Sequence, residues 1–143
     1  MSAPVRVGLI GLGTVGQGVL RVLHKNAGEI ARRVGRPVVV TVASVRDLAR
    51  KRDGNLDGVK LVADSEWVAR EADVDIVVEL IGGQTAARDL ILAAIARGKH
   101  VVTANKALLA EDGNRIFEAA RKAGVMVAFE AAVAGGIPVI KTI

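Results

Sequence analysis

Apolar and polar positions alternate along the chain between two repeats, one suited to buried strands and one to helices. Val5 to Ile10 is a β-branched run interrupted only by Arg6 and Gly8 and closed by glycines, which predicts a strand buried on both faces. Gly16, Leu20, Leu23, Ala27, Ile30 and Val34 then fall at steps of four and three, one face of a single helix that Gly35 and Pro37 stop. Val38 to Val45 reads as a second strand and Lys60 to Ala63 as a third. Asp64-Ser65 starts a helix with Trp67, Val68 and Ala72 as inner positions. Asp75 to Ile81 is a fourth strand closed by Gly82-Gly83, and Thr85 to Arg97 carries Ala87, Leu90, Ile91, Ala94 and Ile95 at helical spacing before Gly98. Lys99 to Ala104 follows as strand five. A helix over Ala107 to Ala123, with Gly113 as a candidate kink and Gly124 as its end, leads to strand six at Val125 to Phe129. Strands alternating with helices over short connections predict an α/β, doubly wound architecture: a mostly parallel six-stranded sheet with helices on both faces.

No internal repeat, low-complexity stretch or linker interrupts this pattern, so residues 1–134 read as one domain. Ala134-Gly135-Gly136-Ile137-Pro138 reads as a loop with proline at the first turn of another helix, and residues 135–143 as the start of a connection. The expectation is therefore an N-terminal part of a longer protein. The chain has 143 residues, 51% hydrophobic and 24% charged, enough for one aliphatic core without a staple. With no cysteine it has no disulfide, no thiol nucleophile and no zinc ribbon or iron–sulfur ligands. Its three aromatics, Trp67, Phe117 and Phe129, are too few for base-stacking platforms. No apolar run approaches the roughly 18 residues of a membrane span, and no signal-peptide pattern opens the chain, so a soluble cytoplasmic protein with no membrane partner is expected. The balance of 20 basic to 15 acidic residues leaves a formal charge of +5. Much of that charge sits in one segment, Arg46 to Arg52, which favours a small multiply charged ligand over nucleic acid.

Gly11-Leu12-Gly13-Thr14-Val15-Gly16 is G-x-G-x-x-G placed directly after a predicted strand and opening a predicted helix. In that context the first glycine permits the tight turn, the second lets the backbone approach a pyrophosphate, and the third lets helix and strand pack closely. Amides of the loop, including those of Thr14 and Val15, then face the anion at the positive end of the helix. The fold is thus of Rossmann type, and a nicotinamide dinucleotide is the expected ligand. Its identity turns on the end of strand two, Ser44-Val45-Arg46-Asp47. Arg46 can pair with a 2′-phosphate and Ser44 can donate to it, which predicts NADP(H). NAD(H) remains the second cofactor, with Asp47 as the acceptor for a ribose 2′-hydroxyl, and a solvated helix start is the bland reading of the basic cluster.

The ends of strands four and five lie at the nicotinamide side. Gly82-Gly83 allows close backbone approach there, and Asn105-Lys106 brings an amide and an ammonium that can meet cofactor phosphate or substrate carboxylate. Glu79 and Glu130 stand near strand ends in apolar surroundings, where a carboxylate needs a partner or an ion. His24 and His100 read as structural, on a helix and at a strand start.

Taken together, GLIGLGTVGQGV, VASVRD, VVELIGG, KHVVTANKALLA and FEAAVAGGIPVIK closely resemble the cofactor-binding half of homoserine dehydrogenase, from Val7 to Lys141. The resemblance implies NAD(P)-dependent interconversion of L-homoserine and L-aspartate 4-semialdehyde in threonine, methionine and isoleucine biosynthesis. It implies a role for Lys106 at the cofactor and active site, contact of Arg46 with the 2′-phosphate, and a sodium ion bound through backbone carbonyls of the segment from Glu130 through Val133 and Gly135 to Ile137. It further implies that residues 135–143 lead to a catalytic and dimerisation domain outside this chain, which would supply the proton donor and the amino-acid substrate site and make the full-length protein a homo-oligomer. The fragment alone is then expected to bind cofactor and to be inactive. Two alternatives stand beside this reading: another NADP-dependent reductase, such as a semialdehyde dehydrogenase, which the lack of cysteine disfavours, and a non-catalytic dinucleotide-sensing module.

Overall fold

The structure, a computed structural model, describes residues 2–134, with side chains to residue 132. Six strands, β1 (Val5–Ile10), β2 (Val38–Ser44), β3 (Lys60–Val62), β4 (Ile76–Glu79), β5 (His100–Thr103) and β6 (Val127–Ala128), form one sheet in the order β3-β2-β1-β4-β5-β6, and every pairing is parallel. The sheet is wholly parallel where a mostly parallel one was expected. The order reverses between β1 and β4, so the chain winds outward in both directions from that pair.

Alternate residues of the strands feed two separate cores. Ile10, Val42, Val77 and Val101 pack with Val68, Ile91, Ile95, Leu108 and Ile116 from α3 (Ser65–Arg70), α4 (Thr85–Ala96) and α5 (Lys106–Ala123). Val7, Leu9, Val40, Ala43 and Val78 pack on the other face with Leu12 and Leu20, the latter from α1 (Thr14–Lys25). This two-faced burial is why the strands read as continuous apolar runs. At the amino end of β4, the Arg6 amide and guanidinium both donate to Asp75, and these bonds hold the Asp75 carboxyl below its usual range. Lys99 departs from its expected place at the start of strand five. It is buried, its Nζ donates to the Val68 oxygen at 3.2 Å, and desolvation lowers its pKa.

The single helix expected over Gly16 to Val34 is broken. Asn26 leaves helical geometry at φ −108° and ψ 18°, and both its backbone N–H and its side-chain amide donate to the Val22 oxygen, ending α1. A second helix, α2 (Ala27–Val34), follows with no buried residue, and Val34 is exposed. Two donors of one residue thus converge on the last turn of α1, and the chain changes direction into α2 beyond it. Asp64 caps α3 by accepting from the Trp67 amide, as the Asp64-Ser65 start predicts. α5 runs unbroken through Gly113, which is buried. Strands four, five and six are each shorter than expected, and a short helix, α6 (Glu130–Ala134), follows β6 where no element was expected. The residues proposed as a connection, 135–143, lie outside those described.

Two glycines of α1 should respond oppositely to alanine. A Cβ at Gly16 would lie 2.6 Å from the Gly11 oxygen, whereas one at Gly18 meets nothing within 4 Å. Thermal melts should show Gly18→Ala raising Tm by about 3 °C through helix propensity. Gly16→Ala should lower stability by about 1–3 kcal/mol, because the backbone it strikes has no room to yield.

Candidate functional site

The carboxyl ends of β1 and β4 open a crevice at the point where the strand order reverses. Gly11 turns there with φ 103°, a left-handed value that glycine adopts without strain, and a Cβ on it would press on the Leu80 carbonyl at 3.3 Å and on Ile81 at 3.1 Å. Gly13 precedes α1 with nothing within 4 Å of a would-be Cβ. α1 has no side-chain cap and no acidic residue in its first turn, so the amide donors around Thr14, Val15 and Gly16 are open to an anion. Gly11 thus takes the tight turn and Gly16 the close backbone approach that their spacing predicts, and Gly13 leaves open the space its expected role requires. Leu12 differs in kind from its neighbours, since its side chain is buried in the core below the loop and only its backbone can take part.

One side of the crevice is a cavity of ≈ 380 Å³ lined by Gly11, Gly13, Ser44, Arg46, Arg50 and Arg52, among others. The basic segment that bounds it forms a turn, not a helix start. Asp47 folds back so that Oδ1 accepts from the Ala49 amide at 2.9 Å. Arg52 ties the turn together, donating to the Asp47 and Arg50 carbonyl oxygens at 2.8 Å each. Arg46 is exposed and, among the described residues, forms no ion pair. Ser44 is buried, with its Oγ 2.8 Å from the Ser65 Oγ, so a second hydroxyl shares that wall. The roles of Arg52 and Ser65 were missed from sequence. Ser65 is the first residue of α3, three positions after Val62, whose register pairing with Ser44 across β3 and β2 brings the two hydroxyls to one place.

A smaller cavity of ≈ 240 Å³ lies on the other side, lined by Val15, Glu79, Gly82, Asn105 and Lys106. Gly82 and Gly83 both take left-handed φ, 72° and 74°. Lys106 is the first residue of α5 and is exposed, with Asn105 capping the helix by accepting from the Leu108 amide at 3.2 Å. An ammonium at a helix N-terminus opposes the helix dipole, so the two positive features together favour an anion in front of them. Glu79, 1% exposed, accepts from the Ile81 and Gly82 amides and from the Thr103 hydroxyl. Glu130 opens α6, and its buried Oε2 has no donor among the described residues. Val133 lies in the same helix, while Gly135 and Ile137 fall outside the described residues. His100 is structural, its Nδ1 accepting from the Met126 amide, and His24 sits exposed on α1.

A G-x-G-x-x-G turn over a topological switch point, with anion-seeking groups at both ends of the crevice, defines a dinucleotide-binding domain of Rossmann type. Comparison with known proteins narrows this further. The family described as the homoserine dehydrogenase NAD-binding domain matches residues 11–130, and the chain belongs to that family. It is 57% identical over 140 residues to a homoserine dehydrogenase of Pseudomonas aeruginosa and 52% identical over 142 residues to one of Neisseria gonorrhoeae, in each case across 98% of this chain and 32% of the relative. The crystal structure of a homoserine dehydrogenase from Thiobacillus denitrificans superimposes with a TM-score of 0.89 at 54% identity, over 98% of this chain and 32% of that one. The chain therefore spans about a third of the length of the relatives it matches. Among the described residues no helix is long and apolar enough to cross a membrane.

Because a Cβ on Gly13 would meet no protein atom, Gly13→Ala should fold with an unchanged melting temperature. The added methyl would stand where a pyrophosphate approaches, so NADPH affinity in a calorimetric titration should fall about tenfold or more.

Proposed function

We propose that this chain is the cofactor-binding part of a homoserine dehydrogenase that interconverts L-homoserine and L-aspartate 4-semialdehyde with NADP(H). The observation that carries the NADP(H) preference is the state of the two rival side chains after β2. The Asp47 carboxylate is engaged with the Ala49 amide of its own turn, whereas Arg46 stands exposed beside a cavity that Arg50 and Arg52 also line. A 2′-phosphate fits the Arg46 and Arg50 guanidinium groups better than a ribose hydroxyl does, since charge-assisted bonds to arginine are the stronger ones. NAD(H) is accommodated by the same crevice with lower affinity.

When bound, the nicotinamide supplies the hydride chemistry. The work of this chain is placement. Backbone amides at Gly13, Thr14 and Val15 hold the pyrophosphate, Ser44 and Ser65 close the adenosine cavity, and Gly82-Gly83 lets the backbone lie against the nicotinamide half. Lys106 orients cofactor phosphate or substrate carboxylate from the start of α5. The amino-acid substrate site, the proton donor and the dimer contacts are assigned to the remaining two thirds of the protein. The orphaned Glu130 Oε2 fits the sodium ion that the family resemblance implies, because a hard cation takes oxygen ligands. Glu130 and the Val133 carbonyl, with Gly135 and Ile137, would hold it and fix the chain after β6.

Titration of this chain with NADPH and NADH in parallel tests the reading. NADPH should bind more tightly, and Arg46→Ala should weaken NADPH by roughly tenfold while changing NADH little, since only the former loses a charge-assisted pair. Equal losses for both would overturn the 2′-phosphate assignment, and tighter binding of NADH would return the ribose contact to Asp47.

A further inference from the structure

Glu79 is a buried carboxylate with no ion-pair partner among the described residues, and the binding role set out above leaves it unused. Its contacts form a closed circuit. Oε1 accepts from the Ile81 and Gly82 amides at 3.0 and 3.1 Å, and Oε2 accepts from the Thr103 hydroxyl at 2.7 Å. The Thr103 oxygen in turn accepts from the Asn105 amide at 3.1 Å. The Asn105 side chain then uses both of its ends, Oδ1 capping α5 at Leu108 and Nδ2 donating to the Gly83 oxygen. That last bond returns the circuit to the loop where Glu79 began it.

The circuit joins the two segments that line the smaller cavity, the Gly82-Gly83 loop and the Asn105-Lys106 start of α5. Burying an acid without a cation is costly, and an apolar side chain would fill the same space at the end of β4. What only the acid can do here is hold two backbone amides on one oxygen and the neighbouring strand's hydroxyl on the other. We infer that Glu79, Thr103 and Asn105 are positioning residues for the nicotinamide half of the cofactor. They set the Gly82-Gly83 backbone and Lys106 at a fixed separation. The adenosine half, held by the Gly11–Gly16 turn and the Arg46–Arg52 turn, does not depend on them. This inference rests on the dinucleotide reading above and deepens it.

The test compares NADPH with adenosine 2′,5′-bisphosphate, which carries the adenosine end and no nicotinamide. Both are titrated calorimetrically into this chain and into Thr103→Val, Glu79→Gln and Asn105→Ser. Thr103→Val keeps the side-chain shape and cuts the link between Glu79 and Asn105. Asn105→Ser keeps a helix cap that cannot reach Gly83, and its half-buried position lets it fold where the buried variants do not. Each folded variant should bind NADPH about tenfold more weakly and the bisphosphate within about twofold of the unsubstituted chain. Parallel losses for the two ligands would show that the circuit supports the fold at large, and unchanged NADPH binding would show that it positions nothing. Either result overturns the inference alone. If the unsubstituted chain binds neither ligand, the dinucleotide reading fails first and the circuit's role falls with it.

Discussion

At the end of β1 the backbone of α1 stands so close to the turn before it that a Cβ on Gly16 would lie 2.6 Å from the Gly11 oxygen. That approach seats the first turn of α1 directly over the strand, and its free amides open into the crevice between β1 and β4. Gly11 extends the constraint sideways, because its left-handed turn lies against the Leu80 carbonyl and so sets where the loop after β4 can run. Backbone sterics, more than any side-chain contact, fix the mouth of the site. The absence of a capping side chain on α1 follows the same logic, since a cap would occupy the donors that a ligand's anion requires.

The two ends of the crevice are controlled differently. At the adenosine end the charged side chains stand at the surface, and the turn that presents them is held by Arg52 on two carbonyl oxygens and by the Asp47 carboxylate on Ala49. Asp47 thereby commits one carboxylate oxygen to its own turn, while the Arg46 guanidinium stays exposed at the end of β2. At the nicotinamide end the order comes from below, through a buried carboxylate whose three donors belong to two segments, the loop after β4 and the end of β5. A surface turn can adjust to its ligand, whereas a buried and fully bonded acid resists displacement, because any donor that left would strand a charge.

Most of the fold was legible from periodicity. The apolar runs gave the strands, the glycine spacing gave the turn, and the parallel sheet followed from their alternation with helices. Asn26 was not legible as a break, because the periodic face continues through Ala27 and Ile30 while the asparagine side chain quietly caps the helix. The basic segment hid its turn in the same way, since aspartate and arginine at that spacing suit either a helix start or an Asx turn. The larger omission was the contact between Glu79 and Thr103. These two residues are register partners on adjacent parallel strands, 24 positions apart in sequence. A repeat of two says which face a side chain takes and nothing about the offset between strands joined through a helix, so the hydroxyl that meets Glu79 emerges only when the register is known.

A wholly parallel sheet has a further electrostatic consequence. Each helix that follows a strand begins at the same edge, so the positive ends of α1, α3, α4 and α5 collect there. Helices commonly offset such ends with acidic residues in the first turn, yet α1, α4 and α5 carry none, and α5 begins with Lys106 instead. Of the acids near this edge, Asp64 is spent on capping α3, Asp47 on its own turn, and Glu79 is buried among donors. Between the arginines after β2 and the ammonium after β5, the N-termini of α1, α4 and α5 thus reach this edge with no acid in their first turns. A ligand with one phosphate would meet one end of the crevice, whereas an extended dinucleotide with a pyrophosphate at its middle reaches along it. The anionic preference is therefore a property of the topology, and the side chains at either end only decide which dinucleotide completes it.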